Sequence, residues 1–355
     1  MGQYSITDFG DPPSWDDLPT VFKSPLTFVY LSCPDANGHR KLWNLYGIGK
    51  GKQGTTLLPG KSGFVGYPFQ MLLTEGPYVE GAIFEGARTL KRETTWSVDL
   101  HARDEHAFFD VWSAWTRSFS PKADGYFGAL TPQGWFWLKT RLSEAGKYQL
   151  DQDPTAFKNN AVQIPMNTLH LDPYYYTETL SDSWTNGSEA NTPLDVIVQM
   201  LEDYLPIIPG VHVGEGSVVL TNTGDVDAWP RFMVSGPGKA WIRDGMTDRM
   251  VPLPLITPAH GDWALVDTDP AQRTLTAQKD PVDPWFFQIA RNSQLVDVLL
   301  HDIASSTLPL WKNAPETNFL SPIPPGATAT IKVRHSHHGA TITGYLPQKH
   351  GSYLR

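Results

Sequence analysis

Apolar residues in this chain alternate with polar ones over short stretches more often than they recur at helical spacing. Leu26–Leu31 (LTFVYL) is a β-rich run closed by the turn residues Cys33 to Gly38, and Leu42–Ile48 is a second short apolar stretch. Trp96, Val98 and Leu100 alternate with Ser97, Asp99 and His101, the period of a strand with one buried face. The period then switches. Phe108, Val111, Trp112, Trp115 and Phe119 form one helical stripe, with Asp104 and Glu105 at its start and Pro121 beyond its end. The spacing predicts a helix over 104–118, packed on a sheet. Tyr126–Leu130 and Gly134–Lys139 read as a hairpin around Thr131-Pro132-Gln133-Gly134, and Ile164–Leu171 adds a strand.

Ser181–Asn191 is polar and turn-rich, which predicts a linker. Thr192 and Pro193 then open a helical stripe of Leu194, Ile197, Val198, Leu201 and Leu205, ended by Pro206. Beyond Gly210, short strands return at regular spacing: Ser217–Leu220, Trp229–Val234, Lys239–Arg243, Met250–Ile256, Trp263–Asp267 and Arg273–Ala277. That rhythm is typical of a sandwich or barrel. Asp283–Leu310 predicts a short helix around Leu295, Val298, Leu299 and Ile303, and Ile331–Val333 and Ala340–Tyr345 close the chain with strands. The expected fold class is mainly β. An N-terminal β-barrel or sandwich with one packed helix spans 1–180, and a linker spans 181–191. A β-sandwich spans 192–355, with helical insertions near 193–205 and 285–305.

The length of 355 residues suits two domains at about 150 residues each. Thirty glycines and thirty prolines support the loop-rich reading, and 13 Trp, 13 Tyr and 16 Phe are enough to fill large cores. The net charge of −9 without a basic stripe argues against nucleic-acid binding. Cys33 stands alone, so no intrachain disulfide or cysteine-ligated zinc site is available. Met1–Thr20 is polar and acidic, unlike a signal peptide, and no apolar run approaches the ~18 residues of a membrane helix.

Few residues point to chemistry. Gly47–Gly66 is glycine-rich and bears Lys50, Lys52 and Lys61, but Gly54 lies one position too early for Gly60-Lys61-Ser62 to complete a phosphate loop. It is expected to be a loop. Asp267-Thr268-Asp269 and Asp225/Asp227 read as turns rather than metal sites. On a strand His335 and His337 would share a face, with His338 beside them, but no third ligand is placed and no metal is expected. No nucleophile elbow, zinc-protease or dinucleotide motif is present, so neither catalysis nor a cofactor is predicted.

One ordered set of residues carries a family likeness. It runs Asn222-x-Gly224-Asp225, Ala228-Trp229-Pro230-Arg231, Ser235-Gly236-Pro237-Gly238, Trp241-Ile242, Val251-Pro252-Leu253-Pro254-Leu255, Gly261-Asp262-Trp263 through Asp267-Thr268-Asp269-Pro270, and Arg273-Thr274-Leu275-Thr276. Ser321-Pro322-Ile323-Pro324-Pro325-Gly326 adds to it. This resembles the C-terminal half of the distal tail (Dit-type) minor tail proteins of long-tailed bacteriophages, in wording nearest those of phages of mycobacteria and their relatives. The resemblance implies a structural virion protein at the distal end of the tail. Its N-terminal domains would build a hexameric ring, and galectin-like sandwiches would project outward. The implied partners are further copies of itself, the tail tube, the tape-measure and hub proteins, and other minor tail or receptor-binding proteins. Lys50, Lys52 and Lys61 are then expected in a ring-contact loop. The alternative is carbohydrate or receptor recognition, with Trp229, Trp241, Trp263 and Trp285 as stacking residues.

Overall fold

The computed structural model describes residues 26–35, 38–76, 80–143, 154–155, 160–187, 213–256, 263–270, 275–278, 308–309 and 318–354. The chain divides into two compact units. The first comprises Met1–Thr177 together with His350–Arg355, and the second is Glu178–Lys349, inserted between those two segments.

The first unit contains β1 (Thr27–Leu31), β2 (Leu42–Tyr46), β3 (Thr55–Leu57), β4 (Phe69–Thr74), β5 (Ile83–Thr89), β6 (Arg92–His101), helix α1 (Glu105–Arg117), β7 (Gly125–Thr131), β8 (Gly134–Leu142), β9 (Ala161–His170) and β10 (Tyr175–Tyr176). Its main sheet is antiparallel in the order β2-β1-β7-β8-β9-β6-β3. The end strands β2 and β3 lie side by side, so the sheet nearly closes into a barrel. Across that seam the Asn44 backbone N–H donates to Gln53 Oε1 at 3.1 Å.

Alternation explains β6: Trp96, Val98 and Leu100 face inward and are fully buried. The helix begins where Asp104, extended at φ −144°, accepts the Ala107 N–H at 2.8 Å. Arg117 in its last turn suits the negative end of the helix dipole. It buries Phe108, Val111 and Trp115. Trp115 meets Trp43 edge-on at 5.2 Å and Trp96 at 6.1 Å. Trp112 is only partly buried against this core, so Trp115 is the principal tryptophan anchor of the stripe.

The second unit is a sandwich. Its strands are β11 (Leu180–Thr185), β12 (Gly214–Thr221), β13 (Arg231–Ser235), β14 (Ala240–Arg243), β15 (Met250–Pro252), β16 (Trp263–Asp267), β17 (Leu275–Gln278), β18 (Leu308–Pro309), β19 (Thr328–His335) and β20 (Thr341–Leu346). One sheet runs β11-β20-β13-β16-β17-β18 and the other β12-β19-β14-β15. Val218, Leu220, Ile242, Ile331 and Val333 of one sheet share a core with Phe232, Val234, Ala264, Val266 and Ile342 of the other. The chain re-enters the first unit through β21 (Lys349–His350), which pairs with β10.

The mainly β class, with one described helix and barrel and sandwich sheets, agrees with the sequence. Three expectations change. Ser181–Asn191 is no linker along its first half, because β11 pairs with β20 from Leu180↔Leu346 to Thr185↔Thr341. The division between units instead falls after Thr177, and residues from His350 belong to the first unit, not the second. Gly47–Gly66 is not all loop: Thr55–Leu57 pairs with β6, and Gly54 sits where a Cβ would lie 2.5 Å from the His101 carbonyl oxygen. The expected helices at 193–205 and 285–305 lie outside the described residues.

Candidate assembly surface

Residues 67–90 show no clear periodicity in the sequence, and there the first unit extends an arm. Among the described residues β4 and β5 pair only with each other, from Phe69↔Thr89 to Thr74↔Ile83, with one register slip after Leu72. Period-two geometry puts Phe69, Met71 and Leu73 on one face, opposite Thr89, Ala87 and Phe84. Phe69, Met71, Leu73 and Phe84 are between 51% and 62% exposed. The opposite face is stitched by its own side chains. Arg88 Nε and Nη2 donate to Gln70 Oε1 at 3.0 and 2.7 Å, and the Thr74 hydroxyl donates to the Glu85 carboxylate. Leu72 and Ile83, 44% and 52% exposed, share that second face with the polar pairs, so the arm exposes apolar side chains on both faces and most densely on the first. Two-stranded hairpins are marginal by themselves, and a contiguous exposed apolar patch marks an interaction site.

The root of the arm is rigidly built. Leu90 N–H donates to Pro68 O at 2.9 Å, and the Thr89 and Tyr174 hydroxyls are 2.8 Å apart. The Tyr67 ring packs 5.2 Å from that of Tyr174. Arg92, three residues past β5 and 1% exposed, donates to Phe64 O at 3.2 Å and to Gly351 O at 2.8 Å. Its guanidinium lies 5.0 Å above the Tyr175 ring, and the Tyr175 hydroxyl also donates to Phe64 O at 2.9 Å. Burial lowers the Arg92 pKa and raises that of Tyr175. Tyr353 is buried beside them, edge-on to Phe28 and Tyr175 at 5.6 Å each.

A polar network crosses the β6–β9 pair. Trp96 Nε1 donates to Thr168 Oγ1 at 3.1 Å, and the Thr94 hydroxyl lies 2.6 Å from Thr168 Oγ1 and 2.9 Å from His170 Nε2. His170 Nδ1 faces Lys139 O at 2.7 Å, so Nδ1 carries the proton and Nε2 accepts. Burial pushes the His170 pKa down to about 4. His335 is likewise held near 4 by burial. It lies by Ser235 O at 3.0 Å through Nε2 and accepts the His337 N–H at Nδ1.

The sequence-derived site residues are not brought together. Trp241 and Trp263 stand on the outer faces of different sheets, and Trp229 packs partly against the core between them. Trp285 lies outside the described residues. Lys239 Nζ sits 5.3 Å from the Trp241 ring centre. Lys50 and Lys52 are exposed on the turns before β3, whereas Lys61 Nζ lies 4.7 Å over the Phe28 ring. His335 ends β19 and points inward while His337 follows in a turn, so the two share no strand face. Among the described residues, no group of three His, Cys, Asp or Glu is placed to hold a metal ion, and no helix is long and apolar enough to cross a membrane.

No family model and no curated protein matches the sequence. Solved structures do match. The chain aligns with the structure of the phage P2 baseplate in its activated conformation with Ca, at TM-score 0.53 and 11% identity, over 92% of this chain and 99% of that one. The Sr form of that baseplate gives 0.51 and 10%, over 88% and 98%. The crystal structure of the SPP1 Dit (gp 19.1) protein, described as a paradigm of the hub adsorption apparatus in phages infecting Gram-positive hosts, aligns at 0.46 and 12%, over 82% and 93%. The likeness to the two P2 baseplate structures establishes a shared fold along nearly the whole chain.

Proposed function

We propose that this chain is a non-enzymatic structural protein of a bacteriophage tail tip. In this reading it is a distal tail protein that closes into a ring, hexameric by the family resemblance, at the end of the tail tube. The fold shared with phage baseplate chains supports the class of protein. The observation that carries the assembly reading is the β4–β5 arm: four large apolar side chains on one face, each more than half exposed, that a neighbouring copy would cover. A head-to-tail contact of arm on neighbour is heterologous, and such contacts close into rings when the rotation permits. Lys50 and Lys52 belong to the same proposal as exposed ring contacts, and the wording of 222–277 favours a phage of mycobacteria or their relatives. The second unit would then meet the tape-measure, hub and receptor-binding proteins.

The test is self-association of the full chain by analytical ultracentrifugation, with and without Met71→Asp and Phe84→Asp together. The proposal expects a wild-type multimer and a monomeric double variant with unchanged melting temperature, because neither residue is part of the buried core. A variant that assembles like the wild type would refute the role given to the arm. A second reading, carbohydrate recognition, is favoured by one observation: Trp241 lies on an outer sheet face beside Lys239 and opposite Arg334. Glycan-dependent quenching of fluorescence, lost in Trp241→Ala, would support it.

A further inference from the structure

We infer that the segment His350–Leu354 is a latch that sets the direction of the β4–β5 arm, with Gly351 and Arg92 as its positioning residues. The inference rests on the reading of the arm as an assembly element, and it adds what holds that element in place. Phe64 precedes the arm and Arg92 follows it, so the chain entering and the chain leaving are tied at one point. There the buried Arg92 guanidinium bonds to Phe64 O and to Gly351 O, and the Tyr175 hydroxyl also bonds to Phe64 O.

Gly351 also touches the arm's approach directly. A Cβ built on it would lie 2.6 Å from Tyr67 Cδ1 and 3.0 Å from Cε1. Tyr67 lies two residues before β4, and its ring bridges Phe69 at 6.4 Å and Tyr174 at 5.2 Å. Any side chain at position 351 therefore pushes on the ring that seats the arm. The backbone at 351 does not require glycine, as its φ lies outside the left-handed region. Close approach to Tyr67 is what excludes larger residues. Tyr353 anchors the latch two residues on, in the core of the first unit.

Two spin labels read the arm's direction within one copy, whether or not the protein assembles, when the labelled chain is diluted into an excess of unlabelled chain. Glu80→Cys near the arm tip and Asp110→Cys on α1 are labelled in a Cys33→Ser background of the full chain, and the distance distribution is measured by pulsed electron resonance. The expected result is one narrow peak in the parent, with a shifted or clearly broadened peak after Gly351→Ala. Adding Tyr67→Ala to Gly351→Ala removes the clash but leaves the arm unseated, so the distribution stays broad. The melting temperature moves little, since Tyr67 is partly exposed. In the unlabelled chain Gly351→Ala is expected to weaken self-association by about tenfold, equivalent to about 1.4 kcal/mol. An unchanged distance distribution in Gly351→Ala would overturn the latch. If Met71→Asp with Phe84→Asp leaves assembly intact while Gly351→Ala broadens the distances, the latch stands and the assembly role of the arm falls.

Discussion

Replacing Tyr353 with alanine removes a side chain near the C-terminus from a core otherwise built of residues 26–175. Tyr353 is 3% exposed, and its ring meets Phe28 of β1 and Tyr175 of β10 edge-on at 5.6 Å each. Truncating a large buried aromatic costs about 3–5 kcal/mol, which includes the cavity left behind. Each edge-on aromatic pair contributes roughly 0.5–1.5 kcal/mol beyond burial, a share already contained in that range. Against a typical stability of about 5–15 kcal/mol the loss is large, and for a unit of this size it lowers the melting temperature by roughly 10 °C. The assay is hydrogen exchange resolved by segment, because whole-chain melting mixes two units. Amides of β1 and β7 should exchange faster in Tyr353→Ala, while those of β13 and β19 in the second unit keep their protection. A chain ending at Lys349 should show the same split more strongly, since it also strips Arg92 of its Gly351 acceptor. Unchanged exchange in β1 and β7 would refute the argument that the C-terminal segment completes the first unit.

Trp115→Ala should destabilise the first unit by about 3–5 kcal/mol in chemical denaturation, and the half-buried Trp112→Ala by less than half as much; equal effects would mean that the helix is rotated from its described face. His170 has a folded-state pKa near 4 against 6.5 for the free side chain. Between those values the unfolded chain binds more protons, so stability is full above about pH 6.5 and is lost as pH falls toward 4, by no more than about 3 kcal/mol. Denaturant unfolding of wild type and His170→Gln across that window checks this, the variant showing the shallower slope. His335 adds a loss of the same sign in the second unit.

Residues with two distinct faces were legible in the sequence. β6 alternates because one side meets the helix and the other does not, and α1 shows its stripe because Phe108, Val111 and Trp115 all turn inward. The arm carries no comparable cue. Leu72 and Leu73 adjoin, Glu85 and Gly86 break β5, and apolar residues that stay exposed among the described residues leave alternation without the buried side that gives it meaning. Ser181–Asn191 looks like a linker by composition, yet two polar residues of its described part, Asp182 and Asn186, are spent on tertiary bonds. Asp182 accepts the Val219 N–H at 2.7 Å, and Asn186 donates to the carbonyls of His335 and His337. The return of the C-terminal segment is invisible for another reason. Six residues with one tyrosine hold no periodicity, and pairing of Tyr353 with Phe28 across the whole chain is set by topology. The tryptophans show the limit for sites: Trp241 and Trp263 are similar in sequence context and end on different sheets.

A cryo-electron microscopy reconstruction of the tail tip of a virion carrying this protein would decide whether the copies form a ring. The expected density is a closed ring of copies at the distal end of the tube, first units around the axis, each β4–β5 arm laid with Phe69, Met71, Leu73 and Phe84 against the next copy. A single copy per tail, or a ring in which the arms reach into solvent, would contradict it.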